Sequence, residues 1–582
     1  MPVPNSTLIK TETELERLRL EESWERRRLE NEERRRIAES QRVGSLFAHP
    51  FWTAFSDIGP IAKCLDEWLI IEISWTIRSK PNWESKYKTP EIRLKWENEI
   101  KEQCKDKTKF IDEVIEYVFK EIEWYDETQN NLQTFKIGCE DKIVYSDQVI
   151  DKSCKDKFRK KVDELVGSLI DLDYHPGSNN QVIDIVHPSL FPLQYGVTPI
   201  IIDNLEIVEY HPRVQNAKPA VADFGVSKNY QWLPALLTYD DGFKFKSYIN
   251  NLHPFKHKQL YTSIESIFNR IIPGLNYTLS RYASEDFIRI PIPTYLDAYN
   301  EDYEKDRDAL EELLDKEAEK TDEGFDYDKF DEFEQQKIKY LKEFKPSWSV
   351  PNINKSIDLK TFKNLKVIVK LANIELTPDS PKYNGGSWHV EGTINEDIIA
   401  TVLYYYDCEN ISESRLSFRT GFEDPQYEQG DSTYAEAIFG IKDEDLMVRN
   451  IGSMQAQEDR VLVFPNMFQH HVDPFELKDK SKPGHRKILC FFICDPFNKY
   501  IVSSDNVPPQ QKEWWDDESL GYLYPGNIKQ EILNLKDNRW PITLNDAKIV
   551  REKLMEERSS EKIQGDEDDM PAFNRLFSLC EH

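Results

Sequence analysis

Cysteine is scarce, at 8 positions in 582 residues without regular spacing. That excludes a disulfide framework and points to reduced thiols in a cytosolic or nuclear setting. Long hydrophobic runs are missing too. The most apolar stretches, such as Ile398–Tyr406, are far too short to cross a bilayer. The segment from Met1 to Lys10 lacks a basic region followed by an apolar one, so no secretory signal is expected. Positive charge is in deficit: 76 Lys+Arg stand against 105 Asp+Glu, a net charge of −29. Such a field repels phosphate backbones, which argues against nucleic-acid or anionic-membrane binding and favours a neutral or basic substrate. What the chain does have is apolar residues at 39% and aromatics at 12%, enough for a packed interior, and a length that calls for more than one domain or lobe.

Organisation changes along the chain. Residues 11–42 carry Glu–Arg pairs four apart, as in Glu22–Arg26 and Glu30–Arg34, and predict a solvated helical extension over 1–45. Residues 46–300 form a mixed region, mainly helical at first, with amphipathic patterns at Ile61–Arg78 and Phe110–Tyr125. From about 170 it turns to Pro- and Gly-rich loops beside short strands. His175, Asp184 and His187 could be drawn as a metal cluster. Each histidine precedes a proline, however, which implies extended turn-forming backbone and a structural role. Residues 301–349 are an acidic helical insertion, with patterns at Asp308–Lys320 and Asp328–Phe344.

From 350 to 505 the period switches to strands: Leu365–Leu376, Ile398–Tyr406, Arg415–Phe418, Arg460–Phe464, Met467–Val472 and Lys487–Cys494. The expected fold class is α+β, a double-stranded β-helix (jelly roll) with a large N-terminal region and peripheral helices. Residues 506–582 complete it as a C-terminal extension, with a helix near Leu544–Glu557 and an acidic stretch at 565–569.

The chemistry concentrates in Gly386-Ser-Trp-His-Val-Glu-Gly. His389 and Glu391 are two apart, so on a strand both side chains share one face. Two histidines and one carboxylate with open positions suit non-haem Fe(II). The second histidine is His470 or His471, which are adjacent and therefore point opposite ways. Arg486 opens the apolar strand Lys487-Ile-Leu-Cys-Phe-Phe-Ile; a cation there requires an anionic partner, and its planar guanidinium suits a carboxylate.

Several segments carry a family resemblance: Asp173-Tyr-His-Pro-Gly-Ser, Val186-His-Pro-Ser-Leu-Phe-Pro-Leu-Gln-Tyr-Gly, Gly386-Ser-Trp-His-Val-Glu-Gly, Phe464-Pro-Asn-Met-Phe-Gln-His and Lys482-Pro-Gly-His-Arg-Lys. With them the chain resembles the largely uncharacterised fungal family called domain-of-unknown-function 4246 over most of residues 50–582. The later part of that family resembles the 2-oxoglutarate/Fe(II) oxygenases. The resemblance implies His389, Glu391 and His470 as iron ligands, Arg486 as the anchor of the distal carboxylate of 2-oxoglutarate, and O2 as co-reactant. The family usually shows Gln-His-Arg at Gln469-His470-His471, which favours His470 over His471. Tyr404, Tyr406 and Asn373 are candidates for contacts to 2-oxoglutarate, with core packing the competing assignment. A zinc hydrolase on the same ligands and a non-catalytic jelly-roll scaffold are the alternatives. The substrate, a small molecule or a protein segment, and the oligomeric state are not specified by the sequence.

Overall fold

The computed structural model describes residues 46–47, 50–51, 60–201, 207–209, 225–321, 324–427, 431–516, 539–559 and 575–579. The charged helix expected over 11–42 and the acidic stretch at 565–569 lie outside the described residues.

Seven strands build the roll: β1 Asn364–Leu376, β2 Ile398–Glu409, β3 Arg415–Gly421, β4 Val448–Gln455, β5 Val461–Pro465, β6 Gln469–Val472 and β7 Gly484–Cys494. One sheet contains the antiparallel order β5-β2-β7-β1. The opposing sheet runs β4-β3-β6 and is extended by a bridge between His389 and His470. Apart from the β3–β4 hairpin, the chain passes back and forth between the two sheets, which is the topology of a jelly roll. The fold class expected from the sequence holds.

Alternation sorts the side chains. On β1, β2 and β7 one face supplies Ile368, Leu403, Tyr405, Cys490 and Phe492, which meet Phe418 and Phe464 inside the roll. The other supplies Val369, Leu371, Val402, Tyr404, Leu489 and Phe491, which meet helices. Chief among these is Lys258–Ala283, whose Phe268 ring lies 5.2 Å from that of Phe491. The sequence reading placed this stretch in a region of loops and short strands, and Pro273-Gly274 is a local breaker signal within it. Both sit inside the helix, and a Cβ on Gly274 would come within 2.6 Å of the Phe135 ring. An apolar face buried from Leu260 to Tyr282 outweighs the local breaker signal.

The boundary expected near 350 does not divide the hydrogen bonding. Ala235–Tyr239 and Val182–Val186 both pair with β1, and Val144–Ser146 pairs with β5, so the earlier region and the roll share one sheet. The acidic insertion forms helices Glu301–Thr321 and Tyr327–Glu334. It is anchored through an aromatic cluster of Tyr295, Tyr299, Tyr303, Tyr340, Tyr434 and Phe577. The helix Leu544–Glu557 forms where expected, with a Thr543–Asp546 capping box. No helix among the described residues is long and apolar enough to cross a membrane.

Candidate metal centre and anion pocket

His389 is not part of a full strand. It makes a single antiparallel bridge: its N–H donates to His470 O at 3.1 Å and its carbonyl accepts from His470 N–H at 2.9 Å. Two glycines permit the surrounding turns. Gly385 has φ +94°, and a Cβ there would lie 2.8 Å from the Val472 carbonyl oxygen; Gly392 has φ +69°, and a Cβ would lie 2.8 Å from Ile398 Cδ1. Asn466 clips the loop to the roll. Its side chain accepts from Glu391 N–H at 2.9 Å and donates to Glu391 O at 2.8 Å and Ile398 O at 3.0 Å. Nothing in the sequence singled out Asn466; its only signal was a polar residue interrupting Val461–Met467.

The bridge brings three ligand atoms together. Glu391 Oε1 is 3.8 Å from His389 Nε2 and 3.5 Å from His470 Nε2, and the three atoms lie within 4.8 Å of one another. His389 Nδ1 is 2.8 Å from the Ser387 carbonyl. A carbonyl only accepts, so Nδ1 carries the proton and the Nε2 lone pair is left for a ligand. His470 is buried against Phe418 and Phe464, whereas the His389 side chain is 46% exposed, so the triad opens on one side. Burial pushes the Glu391 carboxyl up, but its contacts to His389 and His470 and the charge of Lys370 hold it well below its ordinary pKa. The site presents an ionised carboxylate.

His471 turns the other way. Its ring packs on Trp388 at 4.1 Å and its Nε2 lies 3.2 Å from Asp473 Oδ1. Arg419 lies over the Trp388 ring at 4.8 Å and donates to Gln469.

Arg486 faces the interior of the roll, opposite Ile374 and Cys408. It is 2% exposed, donates from Nη1 to Ser414 Oγ at 2.7 Å, and lies over the rings of Tyr405 and Phe475. Its Nε has no partner, and no carboxylate among the described residues lies within ion-pair distance. A buried guanidinium in that condition is a receptor for an anion.

The three residues considered for contacts to 2-oxoglutarate, Tyr404, Tyr406 and Asn373, lie on the side of the sheet away from Arg486. Tyr404 belongs to the helix-facing side of the sheet, and Asn373 on the same side accepts from Tyr406 OH and donates to Glu375. Period-two alternation turns both away from the interior, along with Tyr406, and puts Tyr405 there instead.

The second cluster, His175, Asp184 and His187, also gathers its ligand atoms within 4.8 Å. Here His187 Nδ1 accepts from Ser189 N–H at 3.2 Å, which leaves the proton on Nε2, and burial pushes the ring down to about 3. Arg551 reaches Asp184 at 3.3 Å and Asp173 at 2.7 Å. A neutral imidazole with no free inward lone pair, beside a guanidinium, does not suit a cation. The structural role expected for this group agrees with its contacts.

Family comparison decides the affiliation. The family model described as "Protein of unknown function (DUF4246)" matches residues 112–518, and the model of its N-terminal domain matches residues 19–99. The chain belongs to this family. Comparison with curated proteins returns no match. Among solved structures it is similar to a selenomethionine-labelled Fe(II)/(alpha)ketoglutarate-dependent dioxygenase, TqaL, at 16% identity, covering 24% of this chain and 46% of that one with a TM-score of 0.16. It is also similar to IDO from Bacillus thuringiensis, at 12% identity over 23% of this chain and 46% of that one with a TM-score of 0.15. A bsmA homolog from Methylobium petroleophilum PM1 matches at 11% identity over 23% and 42%, with a TM-score of 0.15. The chain spans less than half the length of each. At these scores the jelly-roll assignment rests on strand order and register, not on the neighbours.

Proposed function

We propose that this member of the DUF4246 family is a 2-oxoglutarate- and Fe(II)-dependent oxygenase. The observation that supports this best is the pairing, in one jelly roll, of an open His-Glu-His ligand set with a buried guanidinium that has no carboxylate. His389, Glu391 and His470 would hold the iron, a donor set that leaves positions for a bidentate co-substrate and for O2. Bound iron, 2-oxoglutarate and O2 supply the oxidising chemistry. The protein's share is placement and exclusion of water. Arg486 takes the distal carboxylate, and Ser414 orients the guanidinium by accepting a hydrogen bond from its Nη1. Tyr405 and Phe475 enclose that charge, which strengthens a bidentate contact. The Ser387 carbonyl holds the His389 tautomer, and Asn466 fixes the backbone that carries Glu391.

A hydrolytic zinc site could use the same triad but leaves Arg486 without a task. The deciding experiment is an anaerobic titration of the protein with Fe(II) and then 2-oxoglutarate, followed by visible absorption. A weak charge-transfer band is expected on addition of 2-oxoglutarate. It should be absent from His389→Ala and His470→Ala and unchanged in His471→Ala. Arg486→Met should need about tenfold more co-substrate or beyond, the value of a lost charge-assisted contact. Tight zinc binding with no such band would overturn the proposal in favour of hydrolysis, and absence of any metal binding would favour a scaffold.

A further inference from the structure

Lys370 is the one polar residue in the β1 stretch Val367-Ile-Val-Lys-Leu-Ala. Register places it opposite Cys490, on the face that presents Arg486 opposite Ile374, with Ala372 and Ile488 between the two cations. Four residues of strand separate the two positions by roughly 13 Å, and long side chains can converge over the small Ala372. Beyond β1 the same face continues onto Val182–Val186, where Asp184 stands opposite Ala372. The Lys370 charge is felt by both Glu391 and Asp184.

Many withdrawn cations among the described residues are paired with carboxylates, and the buried Arg78 donates instead to the Ile137 and Gly138 carbonyls. Lys142 lies 2.9 Å from Asp286, Lys155 2.8 Å from Glu458, Arg281 2.6 Å from Asp141, and Arg551 2.7 Å from Asp173. Lys370 has no carboxylate within ion-pair distance among the described residues and is half-buried, so a solute can reach it. Cys490, its cross-strand neighbour, is no counter-ion, because burial pushes the thiol up to about 12. Asp184 and Asp173 are already balanced by Arg551 and Lys548.

Charge matching then points to a ligand. On the oxygenase reading, a divalent ion beside Glu391 leaves one positive charge. Lys370 and Arg486 add two, and the dianionic co-substrate removes two. One positive charge remains, and an amine in a half-buried, low-dielectric setting requires an anion. We propose that the primary substrate is a small molecule bearing a carboxylate, and that Lys370 is the residue that recognises it. This inference rests on the oxygenase reading and reverses the expectation, drawn from net charge, of a neutral or basic substrate. The acidic surface governs long-range approach; the interior of the roll governs what is held.

The test uses the full chain loaded anaerobically with Fe(II) and 2-oxoglutarate. Matched pairs of acid and primary amide (benzoate and benzamide, phenylacetate and phenylacetamide, hexanoate and hexanamide) serve as probes, read by calorimetry. At least one acid should bind about tenfold tighter than its amide. That preference should vanish in Lys370→Met and survive in Lys370→Arg. Affinity for 2-oxoglutarate should change less than about threefold in Lys370→Met while falling about tenfold in Arg486→Met. The proposal is overturned if no acid is preferred over its amide by the native protein. It is equally overturned if Lys370→Met weakens 2-oxoglutarate as much as Arg486→Met, which would assign the amine to the co-substrate. Failure of 2-oxoglutarate to bind the native metal-loaded protein would remove the oxygenase reading itself, a separate and recognisable outcome.

Discussion

Among the described residues, two clusters of two histidines and one carboxylate each bring their ligand atoms within 4.8 Å of one another. They differ in what their other atoms do. At His389 the Nδ1 proton is committed to the Ser387 carbonyl, so Nε2 faces Glu391 with its lone pair. At His187 the backbone N–H of Ser189 is committed to Nδ1, so Nε2 carries the proton. Glu391 meets only histidines at close range, whereas Asp184 is met by Arg551. One group is arranged to receive a cation; the other has already received one. Residue type and proximity do not separate the two, but hydrogen-bond direction does.

The comparison can be broken most directly by metal stoichiometry. His389→Ala or His470→Ala should lower Fe(II) affinity by more than about 100-fold, beyond the range of changes to supporting residues. His175→Ala and His187→Ala should leave one ion per chain, as measured by equilibrium dialysis and metal analysis. If either of the latter removes an ion, the tautomer argument fails.

Removing Arg551 probes the other side of the contrast. Arg551→Met leaves the buried Asp184 without its cation, while Asp173 keeps Lys548, and should cost about 3–5 kcal/mol in denaturant unfolding while leaving Fe(II) affinity in place. Asn466→Ala should do the reverse. Freeing the Glu391 backbone should weaken Fe(II) by about 10–100-fold with a smaller effect on unfolding.

Asp407 offers a third carboxylate, saturated by Arg159, His485 and Lys487 at 3.0–3.1 Å and with no metal-like geometry. Burial pushes its carboxyl up, but the contacts to His485 and Lys487 bring it down to about 2. A depressed folded pKa contributes stability that is complete above the unfolded value near 4 and is lost as pH falls through 2. Asp407→Asn should therefore cost on the order of 2 kcal/mol at pH 6. The penalty should shrink between pH 4 and about 2 in urea titrations. A penalty that is flat with pH would show that packing, not charge, is what Asp407 contributes.

Much of this arrangement was legible in the sequence where local signals were strong. The apolar runs of β1, β2 and β7 announced the buried sheet because strands covered on both faces have few polar positions. β4 was not recognised. Its Arg449, Asn450, Gly452 and Ser453 interrupt any alternation, and it is held by a bulged ladder to β3. The helix Lys258–Ala283 was not recognised either, and Pro273-Gly274 is a local breaker signal within it. In the site, His389, Glu391 and Arg486 stood out because a charge or imidazole beside an apolar strand is conspicuous. Lys370 carried the same signal within Val367–Ala372 and passed unnoticed, and Asn466 had only a weak one.

The sequence by itself determined the kinds of atoms available and their alternation along each strand: a His-x-Glu pair, two adjacent histidines of which one must point inward, and an arginine at the start of an apolar run. Tertiary structure decided which of them meet and in what state. The bridge between His389 and His470 joins segments 81 residues apart. Ser387, Ser189 and Arg551 set which nitrogen is protonated and which carboxylate is already neutralised. Those outcomes depend on which groups are within hydrogen-bonding distance and on their direction, and chain folding sets both.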